Sequence, residues 1–156
     1  MNVRFCDRSF GRIMLYLRWL VIPVFCVSIG CQHYEWRDDY ERAEVQAREQ
    51  SKHMFIFYKY YLDADSNRML GSEVLSDPEV VKLFQGTVNV LLDQEYGPRY
   101  VEYVGKYGVR SCPSSIIVAP DGTYTVLRGL VSKERFMDFA QKALKRGVSS
   151  AASDEP

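Results

Sequence analysis

The sequence predicts one α/β domain in which helices cover both faces of a four-stranded mixed sheet, a three-layer α/β/α sandwich. Two short apolar runs, residues 54–58 (MFIFY) and 87–92 (TVNVLL), are typical of buried parallel strands. A helix start lies between them at residues 76–79 (SDPE), and a Pro-Asp-Gly turn at 120–122 predicts a later hairpin. Strand–helix–strand units pair in parallel, and the hairpin adds an antiparallel edge.

Helical periodicity predicts a first helix over residues 34–52, with an apolar stripe at Trp36, Tyr40, Ala43 and Ala47. Residues 59–68 are polar and predict an irregular segment, followed by helical residues near 69–75. In the next helix Asp77 is the expected cap, with Pro78 in the first turn. The remaining expected elements are a helix over 98–107, strands over 115–119 and 123–128, and a last helix capped by Ser132.

Composition limits the class of protein. The chain has 156 residues, of which 47% are hydrophobic, and this fits one globular domain with a targeting segment. Residues 1–31 hold four of the 20 basic and one of the 20 acidic residues, so the remainder has 16 basic and 19 acidic residues, a net charge of −3. A mildly acidic domain without a basic stripe is a poor nucleic-acid binder.

The histidine and cysteine positions argue against a metal site or a cofactor. His33 and His53 are far apart, no Cys/His cluster is present, and no glycine-rich loop is placed to hold phosphate. Asp63-Ala64-Asp65 has the spacing that opens a calcium loop, but the glycine and glutamate that such a loop needs are missing. We therefore expect neither metal nor cofactor, and we interpret Asp63 as a turn or cap residue.

The N-terminus has the pattern of a targeting segment. A basic flank precedes the twelve-residue apolar run 19–30, which is short for a membrane span of about 20 residues. Gly30 then precedes Cys31. This segment resembles a bacterial lipoprotein signal, in which the cysteine after the cleavage site carries lipid, although Ser28 replaces the usual aliphatic residue.

The lipoprotein resemblance implies a domain exported to the cell envelope or periplasm and anchored to the membrane through lipid on Cys31. An uncleaved anchor helix and an ordinary secretory signal remain open, as does a true start at Met14. The expected organisation is a signal peptide or anchor over 1–31, a folded domain over 32–146 and a disordered polar tail over 147–156.

The stretch 107–118 (YGVRSCPSSIIV) carries a second resemblance. A helix end, Gly-Val, small residues and a proline that opens a strand are similar to the thioredoxin-like family, where this proline is cis; Pro113 matches it. Residues 76–80 (SDPEV) resemble a branch of short exported thioredoxin-like proteins. The resemblance covers residues 34–146 and implies a thioredoxin-like fold.

One feature of that family is missing. Its Cys-x-x-Cys pair should fall between Phe57 and Leu70, where this chain has no cysteine. Dithiol–disulfide exchange needs a nucleophilic thiolate and a second thiol that resolves the mixed disulfide. Oxidoreductase activity of the usual kind is therefore not expected, and the chain is expected not to be an enzyme of that kind.

The resemblance instead points to a binding surface beside Pro113. In the family the cis proline exposes the preceding backbone N–H and C=O to an extended peptide, which here implies Cys112 and Pro113; the alternative is that the proline merely starts the strand. Tyr60 and Tyr61, with Tyr58 and Lys59, lie beside the missing active site and have the aromatic character of protein contacts; the alternative is that alternation buries some of the three tyrosines in the core. We expect a protein or peptide partner outside the cytoplasm.

Cys112 leaves a second function open. A lone thiol at this position would serve single-cysteine redox or thiol capture if its pKa were lowered by a cation or a helix N-terminus. Cysteine is also a common small core residue, so packing is the competing interpretation.

Overall fold

The computed structural model describes residues 34–96 and 98–146. The predicted signal or anchor segment, the predicted lipid site Cys31 and the predicted tail over 147–156 lie outside these residues. Within residues 34–96 and 98–146, no helix is long and apolar enough to cross a membrane. The elements, in chain order, are β1 Trp36–Arg37, α1 Tyr40–Glu49, β2 Met54–Lys59, α2 Ala64–Leu70, α3 Pro78–Leu83, β3 Val88–Asp93, a 3₁₀ turn Gln94–Tyr96, α4 Pro98–Gly105, β4 Ser114–Val118, β5 Tyr124–Arg128 and α5 Lys133–Arg146.

The strands form one mixed sheet with the order β1-β3-β2-β4-β5. β2 pairs in parallel with β3, from Met54 opposite Val88 to Lys59 opposite Asp93. β2 also pairs antiparallel with β4, and β5 continues the sheet as the second strand of the hairpin. The mixed α/β architecture predicted from the sequence is confirmed, with five strands instead of four.

The fifth strand corrects the prediction of one helix over residues 34–52. Trp36 and Arg37 pair in parallel with Asn89 and Val90 at the sheet edge. The helix begins only at Tyr40, because the Asp39 side chain accepts a hydrogen bond from the backbone N–H of Arg42 at 3.0 Å and caps it. Trp36 fitted the helical stripe only by coincidence of spacing.

Alternation along β2 divides the core between the two faces of the sheet. Phe55 and Phe57 point to the face covered by α2, α3 and α5, whereas Ile56 and Tyr58 point to the face covered by α1 and α4. On the first face Phe55, Phe84 and Phe136 lie with ring centroids 4.3 to 6.0 Å apart, and all three are fully buried. Burial of both faces explains why β2 is continuously apolar.

The face with α1 and α4 is held by tyrosines. The hydroxyls of Tyr40 and Tyr107 lie 2.7 Å apart, and the Tyr103 hydroxyl donates to the Glu41 carboxylate at 2.7 Å. The rings of Tyr40 and Tyr103 stack at 4.4 Å between centroids. Tyr103 of α4 and Tyr107 just after it therefore pack against α1, and their hydroxyls find hydrogen-bond partners in the same contact.

The segment between β2 and β3 differs in detail from its sequence prediction. The helical turn expected near 69–75 begins earlier, at Ala64, because Asp63 caps α2 with a 2.8 Å hydrogen bond from the backbone N–H of Ser66. The cap of the next helix at Asp77 is as predicted. Asp77 also accepts a hydrogen bond from the Lys133 ammonium at 2.9 Å, which ties the start of α3 to the start of α5.

We expect Phe136→Ala to lower the free energy of unfolding by about 3–5 kcal/mol, because it removes a fully buried ring from the aromatic cluster with Phe55 and Phe84. Phe139→Ala makes the same chemical change one helical turn later, at a half-buried position, and should cost less than half as much. Urea denaturation followed by circular dichroism measures both. Equal losses for the two variants would contradict this placement of the core.

Candidate functional site

The corner at Cys112 and Pro113 is placed by the pairing of β2 with β4. Tyr58 lies opposite Ser114, the first residue of β4, so the chain just before β4 reaches the carboxyl end of β2. The peptide bond between Cys112 and Pro113 is cis. Pro113 itself is buried, whereas Cys112 is half-buried. The corner therefore lies beside the loop that leads from β2 into α2.

Hydrogen bonds hold that loop in place. The Asp63 carboxylate accepts from both the backbone N–H and the hydroxyl of Ser66, at 2.8 and 2.6 Å. The Ser66 hydroxyl in turn accepts from the backbone N–H of Tyr60 at 3.3 Å, and the Asn67 amide donates to the Tyr61 carbonyl at 2.8 Å. Residues 60–63 are thus positioned by the first turn of α2.

Aromatic and aliphatic side chains of this loop face solvent. The rings of Tyr60 and Tyr61 meet edge to face with centroids 5.4 Å apart. Tyr61 is 41% exposed and the neighbouring Leu62 is 65% exposed, high values for large hydrophobic residues. We call these three residues, together with Cys112, the corner surface.

Some backbone polar groups around Cys112 have hydrogen-bond partners and others have none. The carbonyl of Pro113 accepts from the Gly129 N–H at 2.8 Å, and the carbonyl of Ser111 accepts from the Ser114 hydroxyl at 2.8 Å. Among the described residues, no hydrogen bond uses the N–H or the C=O of Cys112. One donor and one acceptor are therefore left at the corner for water or for a ligand.

The Cys112 thiol is poorly suited to act as a nucleophile. Its sulfur lies 3.5 Å from the Gln94 side-chain oxygen, as a weak donor. Burial raises the pKa of the Cys112 thiol to about 11, and the nearby carboxylates of Asp63 and Asp93 act in the same direction. Since only the thiolate attacks, this environment keeps the thiol protonated at neutral pH.

A buried ion pair lies at the end of the sheet next to this thiol. The Lys59 ammonium donates to the Asp93 carboxylate across the last rung of the β2–β3 ladder, and their side chains are 13% and 6% exposed. The sequence analysis placed Lys59 beside the missing active site but did not single out Asp93. The sequence pattern that could have predicted the pair is that each charged residue ends an apolar strand. Together they neutralise two charges that would otherwise be costly to bury.

Of the site residues predicted from the sequence, Tyr61 and Cys112 share a charged neighbour. Asp93 raises the pKa of both the Tyr61 hydroxyl and the Cys112 thiol, although Glu95 is the larger cause for Tyr61 and burial for Cys112. Glu95 is a further residue that sequence reasoning missed, since it follows the strand in a turn without a motif. The part of the chain that the structure describes holds no group of three potential metal ligands.

Comparison with solved structures identifies the architecture. The chain is similar to a thioredoxin from Thermus thermophilus, with 20% identity and a TM-score of 0.63 over 74% of this chain and 91% of that one. It is also similar to the reduced C-terminal domain of DsbD from Neisseria meningitidis, with 18% identity and a TM-score of 0.57 over 66% and 91% of the two chains.

A third similar structure is the DsbH oxidoreductase, with 15% identity and a TM-score of 0.61 over 72% of this chain and 85% of that one. No protein-family model and no curated protein matches the sequence. At these identities the likeness shows the fold alone, and the chain has a thioredoxin-like fold.

The rate at which Cys112 reacts with iodoacetamide should rise with pH until about pH 11, where the thiol titrates. Because the pKa of Cys112 is raised from 9.0 to about 11, about a hundredfold less thiolate is present at neutral pH than for an unperturbed thiol. Mass spectrometry of the proteolytic fragment that contains Cys112 separates it from the other three cysteines. A rate that levels off near pH 8 would contradict the raised pKa.

Proposed function

We propose that this domain binds an extended peptide at the corner surface and performs no dithiol–disulfide exchange. The observation that carries the proposal is the unused N–H and C=O of Cys112 beside a group of exposed hydrophobic side chains. An extended chain offers a matching C=O and N–H on one residue, so it would pair with Cys112 as a short added strand.

The tyrosines supply what backbone pairing alone lacks. Main-chain hydrogen bonds carry little sequence information, whereas side-chain contacts on either side of them add affinity and selectivity. Tyr60 and Tyr61 are large and have few rotatable bonds, and hydrogen bonds to their backbones hold them in place. Such residues lose little conformational entropy on binding and are enriched among the residues that dominate interfaces.

The same site lacks the two thiols that dithiol–disulfide exchange needs. Between Phe57 and Leu70, where a cysteine pair would stand, the chain has none, and Asp63 and Ser66 occupy the first turn of α2 instead. Cys112 has no second cysteine within residues 34–146 to resolve a mixed disulfide. A retained fold with this loss fits a module that binds without catalysis.

The second candidate function is single-thiol redox or thiol capture through Cys112. In its favour, Cys112 is partly exposed and lies within the corner surface. Against it, burial raises the pKa of the Cys112 thiol to about 11, although a hydrogen bond with Tyr58 and the nearby Lys59 cation act in the opposite direction. We therefore rank this function second.

We further propose that the domain is exported and held at the cell envelope by lipid on Cys31, as the lipoprotein-like signal implies. The sheet geometry is compatible with such a tether. β1 runs parallel to β3, so Tyr34 enters at the end of the sheet where Met54 begins β2, whereas Cys112 lies at the other end. At about 3.3 Å per residue, these ends are about 16 Å apart. The corner surface therefore lies at the end of the sheet opposite to the one where Tyr34 enters.

Peptides selected from a random-sequence phage library against the protein should bind the corner surface. Tyr61→Ala should then weaken binding at least about fivefold, because it removes an exposed aromatic anchor. Tyr124→Ala is the matched control, since Tyr124 is 48% exposed but lies on β5, opposite Val118, toward the other end of the sheet. Fluorescence anisotropy measures both, and equal effects of the two variants would place the peptide elsewhere.

A further inference from the structure

We propose that the peptide bound at the corner surface carries a lysine or an arginine, and that Glu95 and Asp63 select this cation. The inference rests on the proposed function and names the chemistry of its ligand. It follows from the charges that surround the exposed tyrosines and from the contacts that those charges already make.

Three carboxylates act on the groups of the corner surface. Lys59 of β2 lies opposite Asp93 of β3, so Tyr61 and Glu95 each follow this last rung by two residues, and the Gln94 side chain next to Glu95 lies 3.5 Å from the Cys112 sulfur. The Ser66 hydroxyl donates to the Asp63 carboxylate and accepts from the backbone N–H of Tyr60.

In keeping with this placement, Glu95 is the largest cause of the raised pKa of the Tyr61 hydroxyl, whereas burial is the largest for the Cys112 thiol, with Asp63 and Asp93 acting in the same direction. Asp93 is in an ion pair with Lys59, which offsets part of its charge. Within the described residues, Glu95 and Asp63 form no ion pair. Two negative charges therefore remain uncompensated at this surface.

Asp63 and Glu95 differ in their structural roles. Asp63 caps α2, and its hydrogen bonds from Ser66 lower the pKa of the carboxyl group, so it is ionised at neutral pH. A structural role therefore explains Asp63 without any ligand. The Glu95 side chain is exposed, has no ion-pair partner among the described residues, and is the largest cause of the raised pKa of the Tyr61 hydroxyl. Glu95 is therefore the carboxylate most available to a basic side chain of the peptide.

The aromatic rings suit the same ligand. Lysine and arginine have long aliphatic stems that lie along apolar surface while the charged end reaches a carboxylate. The faces of tyrosine rings also attract a cation directly. Because Tyr61 and Glu95 follow the neighbouring strand ends of β2 and β3, a basic side chain of the peptide would cover the exposed Tyr61 ring and reach the Glu95 carboxylate.

The test uses the full chain in non-ionic detergent and two fluorescein-labelled peptides. Both peptides alternate threonine and valine, which favours an extended conformation, and they differ only in a central arginine or glutamate. We expect the arginine peptide to bind about fivefold tighter or more, which is the size expected for two exposed ion pairs. At about 1 M salt, where the Debye length is about 3 Å, the difference should largely disappear.

Charge-removing variants identify the residues responsible. Glu95→Gln should reduce the preference for arginine to about twofold, and Asp63→Asn should reduce it further while keeping a side chain that caps α2. Glu49→Gln removes an exposed charge at the far end of α1 and should leave the preference unchanged. Circular dichroism melting curves show whether each variant is folded, and Glu95→Gln alone tests the proposal if Asp63→Asn is unstable.

The outcomes separate this inference from the function on which it rests. If both peptides bind equally and Tyr61→Ala weakens both, the charge selection is wrong and the binding function stands. If the preference for arginine survives Glu95→Gln and Asp63→Asn together, these residues do not select it. If neither peptide binds, the peptide-binding function and this inference are both wrong.

Discussion

The antiparallel pairing of β2 with β4 is the constraint on which the rest of the site depends. By setting Tyr58 opposite Ser114, it brings the Cys112–Pro113 corner to the end of β2, next to the loop that enters α2. A shift of register by one residue would exchange the side chains on the two faces of β2 and disrupt the packing of both hydrophobic clusters. The register that builds the core therefore also fixes the corner surface.

No cysteine lies between Phe57 and Leu70, and polar side chains hold this end of the fold. The entry to α2 is held by Asp63, Ser66 and Asn67, and the end of the sheet by Lys59 and Asp93. The hydrophobic clusters lie on the two faces of the sheet, and one of them extends to Tyr58 and Cys112. The corner surface thus presents backbone groups and aromatic rings together without a cysteine pair.

Most of the fold could be predicted from the sequence because its signals are local. Apolar runs predicted β2 and β3, and the Asp77-Pro78 start predicted α3. β1 was missed because two residues paired at an edge carry no periodicity, and Trp36 fitted a helical stripe instead. At the site, the sequence pattern predicted Pro113, Tyr60 and Tyr61, whereas nothing in it predicted Glu95. Its relation to Tyr61 arises only when the turn after β3 folds beside the loop after β2.

The central claim is that the backbone of Cys112 is free to pair with a peptide, and amide hydrogen exchange measured by NMR tests it most directly. Adding the arginine peptide should slow exchange at the Cys112 N–H, because this N–H gains an acceptor. Exchange at Thr123, whose N–H already donates to Asp121 at 2.8 Å, should not change. A peptide that binds while the exchange rate of Cys112 stays the same would contradict the account.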